Sequence, residues 1–193
     1  MIFTQTRLAG VYAVEIDPQS DHRGHFARLF CVDEFRAQGL PFAVAQASVS
    51  YNAKRGTLRG LHFQYPPAGE IKYVRCVKGA IADVIVDLRP ESPTYLDHAM
   101  VRLSAENGRG VYIPERCAHG FITLRDDTEV SYLISSGYAP NLQGAIRHDD
   151  PQLRIDWPVP VSVISERDQN ASALSSIEAE LRRRMAQRSL VTA

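Results

Sequence analysis

The sequence predicts a mainly β fold, an antiparallel sandwich or barrel with helices only at its margins. Three observations lead there. Short β-like runs follow one another through the middle of the chain, turn residues punctuate them, and no helical segment lies between them. The 193 residues are 45% hydrophobic and 23% charged, the balance of an ordinary globular protein with a sizeable core. No repeat, low-complexity tract or Gly/Ser linker divides the chain, so one domain over residues 1–193 is expected.

VDEFRAQGL (32–40) reads as a short helix, with Asp33 as N-cap and Gly39 as the stop. TLRGLHFQYPP (57–67) has an apolar centre and reads as a strand, yet carries Arg59, His62 and Gln64 before a rigid Pro-Pro pair. KYVRCVKG (72–79) and AIADVIVDLRP (80–90) follow as strands with Lys78-Gly79 as turn residues. HAMVRLS (98–104), VYIP (111–114), HGFITL (119–124) and EVSYLIS (129–135) complete the series, separated by the turns AENGRG (105–110) and RDDT (125–128). The segment 138–160, rich in Pro, Asp and Asn, reads as a long ordered loop, a candidate wall over a binding site. SSIEAELRRRMAQR (175–188) has helical spacing at Ile177, Leu181 and Met185. Its Arg182-Arg183-Arg184 run is read as the solvated face of a terminal helix rather than a phosphate grip.

Charge and cysteine content narrow the function classes. The 22 basic and 22 acidic residues cancel, so no global field favours nucleic acid or an anionic membrane. No apolar run has the length of a membrane span, and the opening MIFTQTRLAG does not read as a secretory signal. Cys31, Cys76 and Cys117 fit neither a disulfide framework nor a zinc knuckle, so a reduced cytoplasmic setting is expected.

Chemistry concentrates in a few places. A His in an apolar run is usually a packed residue, but Arg59 and Lys72 lie close to His62 in sequence. Strand alternation puts Lys72, Val74 and Cys76 on one face, and an inward Lys72 needs an anionic partner such as a bound phosphate. His119, in IPERCAHGF (113–121), sits at the mouth of a later strand, which raises metal binding. No second His follows His62 two residues on, and with Glu70 the only nearby carboxylate, no metal is expected. Proton transfer needs less: a base near working pH, which His supplies, and an acid opposite, for which Tyr132 in EVSYLIS is a candidate. Spacing alone does not bring Tyr132 opposite His62; a rolled sheet could.

The ordered blocks DHRGHF (21–26), GTLRGLHFQ (56–64), KYVRCVKGAIADVIVDLRPESPTY (72–95), LSAEN (103–107), IPERCAHGF (113–121), YAP (138–140), DDPQLRIDWP (149–158) and ISERD (164–168) carry a resemblance. The chain resembles the dTDP-4-dehydrorhamnose 3,5-epimerases over about 10–169, with a helical tail at 170–193. The resemblance implies a cupin-type double-stranded β-helix (jelly-roll barrel), no metal or other cofactor, and a homodimer that exchanges N-terminal strands. The implied reaction inverts the carbons flanking the C4 ketone of a dTDP-4-keto-6-deoxyhexose. It gives His62 the role of base, Asp168 that of the carboxylate holding it, Tyr132 that of acid, and Lys72 a place beside the enolate oxygen. Tyr138 would stack on thymine, and Arg23, Gln46, Arg59, His119, Gln143 and Arg167 would contact the substrate or its nucleotide.

The chain departs from the family pattern at Arg28, Ala47-Ser48-Val49, Leu133, Gln143 and Arg167, changes expected to cluster in the binding shell. Alternatives are an epimerase acting at C3 or C5 alone, a 3,4-ketoisomerase, a sugar-nucleotide-binding cupin without activity, and a metal-dependent oxygenase.

Overall fold

A computed structural model describes residues 1–187 of the chain. Fourteen short strands carry the fold: β1 (Ile2–Gln5), β2 (Tyr12–Glu15), β3 (Gln19–Asp21), β4 (Gly24–Phe26), β5 (Gln46–Asn52), β6 (Thr57–Gln64), β7 (Lys72–Lys78), β8 (Ala80–Asp87), β9 (His98–Ser104), β10 (Gly110–Ile113), β11 (Cys117–Thr123), β12 (Thr128–Ile134), β13 (Gln143–Ala145) and β14 (Val163–Ile164). Among the described residues three α-helices accompany them, α1 (Val32–Ala37), α2 (Glu166–Gln169) and α3 (Leu174–Met185), with one 3-10 turn at Pro140–Leu142.

Two sheets face each other. One runs β1-β2-β10-β7-β12-β5 and the other β13-β6-β11-β8-β9, with β14 added to β6. From β5 to β12 the chain repeatedly changes sheet; only β8 and β9 are consecutive neighbours within one. This winding is the jelly roll of a cupin-type double-stranded β-helix, as expected. The interior joins both sheets: Val74, Cys76, Val111 and Val130 from the first meet Ile81, Ile85, Leu103 and Phe121 from the second. Alternation along β8 explains this, since Ile81 and Ile85 face inward while Val84 and Val86 pack beneath α3. The outer face of the first sheet is covered by Phe35 of α1 with Leu40 and Phe42.

Several expectations change. Lys78-Gly79 is a turn, but β7 and β8 do not pair; Gly79, at φ +77°, carries the chain from one sheet to the other. A side chain there would run into Thr128, so glycine is required. α1 begins after Cys31, not Asp33, and Asp33 instead pairs with Arg36 within the first turns. Gly39 does follow the helix in the left-handed region, at φ +71°.

α3 starts at Leu174, whose N–H donates to Asp150 at 2.7 Å, and buries Leu181 and Met185. The expected end of this helix, at Arg188, lies outside the described residues. Arg182 and Arg184 lie over the rings of Tyr95 and Tyr65, and Arg183 pairs with Glu180. The arginine run therefore fastens the helix to the sheet through its flanking members and leaves only its middle one to solvent-exposed pairing. Among the described residues, no helix is long and apolar enough to cross a membrane.

Candidate active site

Between the sheets opens a cavity of about 610 Å³. β6 supplies its first wall, and the local structure of β6 is unusual. Arg59 and His62 both line the cavity although they are three positions apart, which in a regular strand puts side chains on opposite faces. The register explains it. His119 pairs with His62 and Phe121 with Arg59, so two steps along β11 match three along β6. The extra residue is a bulge that turns both side chains inward. Gly60 sits there at φ +124°, and a Cβ on it would lie 2.5 Å from Gly120 Cα. Only glycine lets the two backbones approach so closely.

His62 Nε2 lies 2.6 Å from Asp168 Oδ1. β14 brings Asp168 there by pairing in parallel with Thr57 and Leu58, and Ser165 caps α2 by accepting the Asp168 N–H at 3.1 Å. Asp168 is buried, and burial alone raises its carboxyl pKa. Hydrogen bonds from His62, the Gly60 N–H and Ser165 outweigh burial and bring it below the usual carboxylate range. An ionised carboxylate can only accept, so the ring nitrogen facing it is assigned as the N–H donor and the other nitrogen keeps its lone pair.

Across the cavity, on the other sheet, stands Tyr132 of β12. Burial raises its phenol well above the ordinary tyrosine value, opposed by a hydrogen bond with Ser50 and the charge of Arg59. The hydroxyl therefore stays protonated, ready to donate. Tyr132 also meets the His119 ring edge to face, with centroids 6.2 Å apart.

Lys72, at the start of β7, is largely buried and lines the cavity. The anionic partner that an inward Lys72 needs is a carboxylate of the chain itself: Glu70 accepts its ammonium at 2.8 Å. His119 Nε2 lies 2.7 Å from Asp83 Oδ1, and both side chains are buried. Burial raises the Asp83 carboxyl pKa, against the opposing charges of His119 and Lys72, and its Oδ2 has no hydrogen-bond partner. His62 and His119 are thus cross-strand neighbours, each tied to its own carboxylate. Among the described residues no group of three His, Cys, Asp or Glu side chains could hold a metal ion.

The rim is cationic. Arg59 donates to Asn52 Oδ1 at 2.7 Å and to the Tyr51 carbonyl, and Arg167 donates to Gln143 Oε1 at 2.9 Å. Half of the described arginines face carboxylates, for example Arg28 with Glu34 and Arg89 with Asp87. Among the described residues Arg59 and Arg167 are in no ion pair, so their charges remain available to an anion. Tyr138, 67% exposed, stands at the rim. Gln46 lines the cavity, and its amide donates to the Ser136 carbonyl at 2.9 Å. Arg23 is the exception: it lies on the β3–β4 hairpin, exposed, paired with Asp21, and outside the cavity of its own chain.

Sequence reasoning missed Asp83 and the carboxylate role of Glu70 toward Lys72. Asp83 did leave a signal, a charged residue at an inward position of the apolar run AIADVIVD (80–87). The whole arrangement suits removal of a proton from an acidic carbon at one wall and its return at the other.

Comparison with known proteins follows the same lines. A family model described as dTDP-4-dehydrorhamnose 3,5-epimerase matches residues 5–176. A dTDP-4-dehydrorhamnose 3-epimerase of Streptomyces niveus is 41% identical over 169 residues, 87% of this chain and 81% of that one. A dTDP-4-dehydrorhamnose 3,5-epimerase of Methanothermobacter thermautotrophicus is 42% identical over 172 residues, 87% of this chain and 91% of that one. The crystal structure of NovW, a 4-keto-6-deoxy sugar epimerase from Streptomyces spheroides, superimposes with a TM-score of 0.88 at 36% identity, covering 98% of this chain and 94% of that one.

Proposed function

The chain belongs to the dTDP-4-dehydrorhamnose 3,5-epimerase family, a family of isomerases, and from that premise we propose that it inverts C3, C5 or both of a dTDP-4-keto-6-deoxyhexose, most simply in dTDP-L-rhamnose synthesis. The observation that carries this reading is the buried Asp168 carboxylate 2.6 Å from His62, set across the cavity from a protonated Tyr132.

In this mechanism the basic nitrogen of His62 removes the proton from the carbon beside the C4 ketone, and the electron pair moves into an enolate. Asp168 stabilises the imidazolium that forms. Lys72 stands by the enolate oxygen, where a charge already in place lowers the barrier. Tyr132 then delivers a proton to the opposite face, which inverts the centre. Arg59 and Arg167, in no ion pair among the described residues, hold the diphosphate, and Tyr138 stacks on the thymine. His119, fixed by Asp83, and Gln143 complete the contacts with the substrate. No cofactor enters this chemistry.

We also assign the chain to a homodimer. The β3–β4 hairpin is exposed along its length, with Phe26 bare to solvent and Leu29 half exposed beside it. Exchange of this arm would bring Arg23 to the partner's cavity. Three unpaired cysteines, two of them buried, suit a reducing cytoplasm.

The test is incubation with dTDP-4-keto-6-deoxyglucose in heavy water, read by NMR. Deuterium at C3, C5 or both, with the carbonyl still at C4, is the expected result. No incorporation at either carbon would overturn the substrate assignment, and a carbonyl moved to C3 would make the protein a ketoisomerase. A specific observation favours keeping the single-carbon reading beside the double one: relatives of almost equal identity are a 3-epimerase and a 3,5-epimerase. Deuterium confined to C3 would decide for it.

A further inference from the structure

The cavity's aromatic rim residue stands on a loop, and a single buried amide two residues from His62 holds that loop. Gln64, at the end of β6, is 2% exposed. Its Oε1 accepts the Ala139 N–H at 3.1 Å, and its amino group donates to the Ala68 carbonyl at 2.5 Å. The same amino group lies 3.3 Å from both Ser136 Oγ and the Gly137 carbonyl. These partners bracket Tyr138 on both sides and tie its loop to the one that precedes Glu70 and Lys72.

We propose that Gln64 is a positioning residue that fixes the Tyr138 ring over the cavity and so sets affinity for the nucleotide end of the substrate. The inference rests on the reading of Tyr138 as the thymine-stacking residue. It explains why this position needs a carboxamide. Only Asn or Gln offers an acceptor and two donors from one planar group, and Gln has the reach to meet an N–H and carbonyls on two loops. A carboxylate of the same shape would turn an acceptor toward the Ala68 and Gly137 carbonyls. An aliphatic side chain would leave them all unpaired in a buried place. Tyr138 is 67% exposed, so the hydrogen bonds that hold its loop do much to fix where the ring stands.

The experiment is a double-mutant cycle on dTDP binding by calorimetry, with Gln64→Glu, Tyr138→Ala and the double variant in the full chain. Gln64→Glu is expected to weaken dTDP binding about tenfold, the size of one lost base–aromatic stack. In the Tyr138→Ala background the same change should add nothing, because the ring it positions is gone. With substrate, KM should rise by more than kcat falls, and amide hydrogen exchange should quicken in 135–142. Should Gln64→Glu fail to fold, Gln64→Met, which keeps the shape and removes the hydrogen bonds, gives the same comparison. A dTDP affinity within twofold of wild type, losses that multiply in the double variant, or unchanged exchange in 135–142 would overturn the role of Gln64. If Tyr138→Ala alone leaves dTDP affinity unchanged while Gln64→Glu still loosens the loop, the stacking assignment of Tyr138 fails, and the proposed affinity role of Gln64 falls with it.

Discussion

At His62 the decisive feature is its carboxylate partner, because an imidazole tied to a buried anion is held in one tautomer and gains a counter-charge once protonated. Asp168→Asn should therefore cut deuterium exchange about a hundredfold or more, the usual size of a general-base contribution. The same residue makes a pH prediction. Its carboxyl lies below the ordinary value of about 3.9 in the folded state, so its ionisation stabilises the fold above that pH. That contribution disappears as pH falls through the lower folded value. The Tm difference between wild type and Asp168→Asn should be widest above about pH 4 and close below it; a gap that widened on acidification would reverse the assignment. Residue types made His62, Lys72 and Tyr132 candidates, and only the family resemblance added Asp168, 106 positions beyond His62. Partners were less legible. Nothing in the spacing of Asp83 and His119, or of Glu70 and Lys72, says that each pair meets, because sheet register decides it.

Among the elements, the β6–β11 bulge governs the site. Without it, strand alternation would turn either Arg59 or His62 away from the cavity. Gly60→Ala would force a Cβ to within 2.5 Å of Gly120 Cα at a backbone angle that side chains avoid. The expected cost is at least about 2 kcal/mol of stability, by denaturant unfolding, together with loss of exchange activity as the Gly60 N–H leaves Asp168. A variant of wild-type stability and activity would show that the close approach is dispensable. Strand positions were readable from period-two alternation and turn residues, and β9 falls on its expected residues. Pairing was not readable. Two adjacent strands with a glycine between them look like a hairpin, yet Gly79 hands the chain to the opposite sheet. β1 to β4, β13 and β14 are too short or too polar to stand out in the sequence.

For the whole molecule, the two sheets supply opposite walls and the N-terminal arm is left over. Exchange of that arm would give each cavity His62 from one chain and Arg23 from the other. If the arm is exchanged in a dimer, Arg23→Ala and His62→Ala proteins, each impaired alone, should recover activity when mixed, approaching about a quarter of wild type for random pairing. No recovery would place Arg23 and His62 in the same chain's site, or leave the arm unexchanged. A run of short strands without intervening helices made an antiparallel sandwich or barrel legible, and the family resemblance supplied the jelly roll. The arm's destination was not legible, since one chain does not show where an exposed hairpin rests.

Opposite walls imply opposite faces of the substrate carbon, and one measurement tests that division most directly. NMR of deuterium uptake and configuration at C3 and C5 of dTDP-4-keto-6-deoxyglucose in heavy water compares wild type, His62→Ala and Tyr132→Phe. The expected result is no uptake with His62→Ala, and uptake without matching inversion with Tyr132→Phe. Uptake persisting in His62→Ala, or inversion at the wild-type rate in Tyr132→Phe, would contradict proton transfer between these two walls.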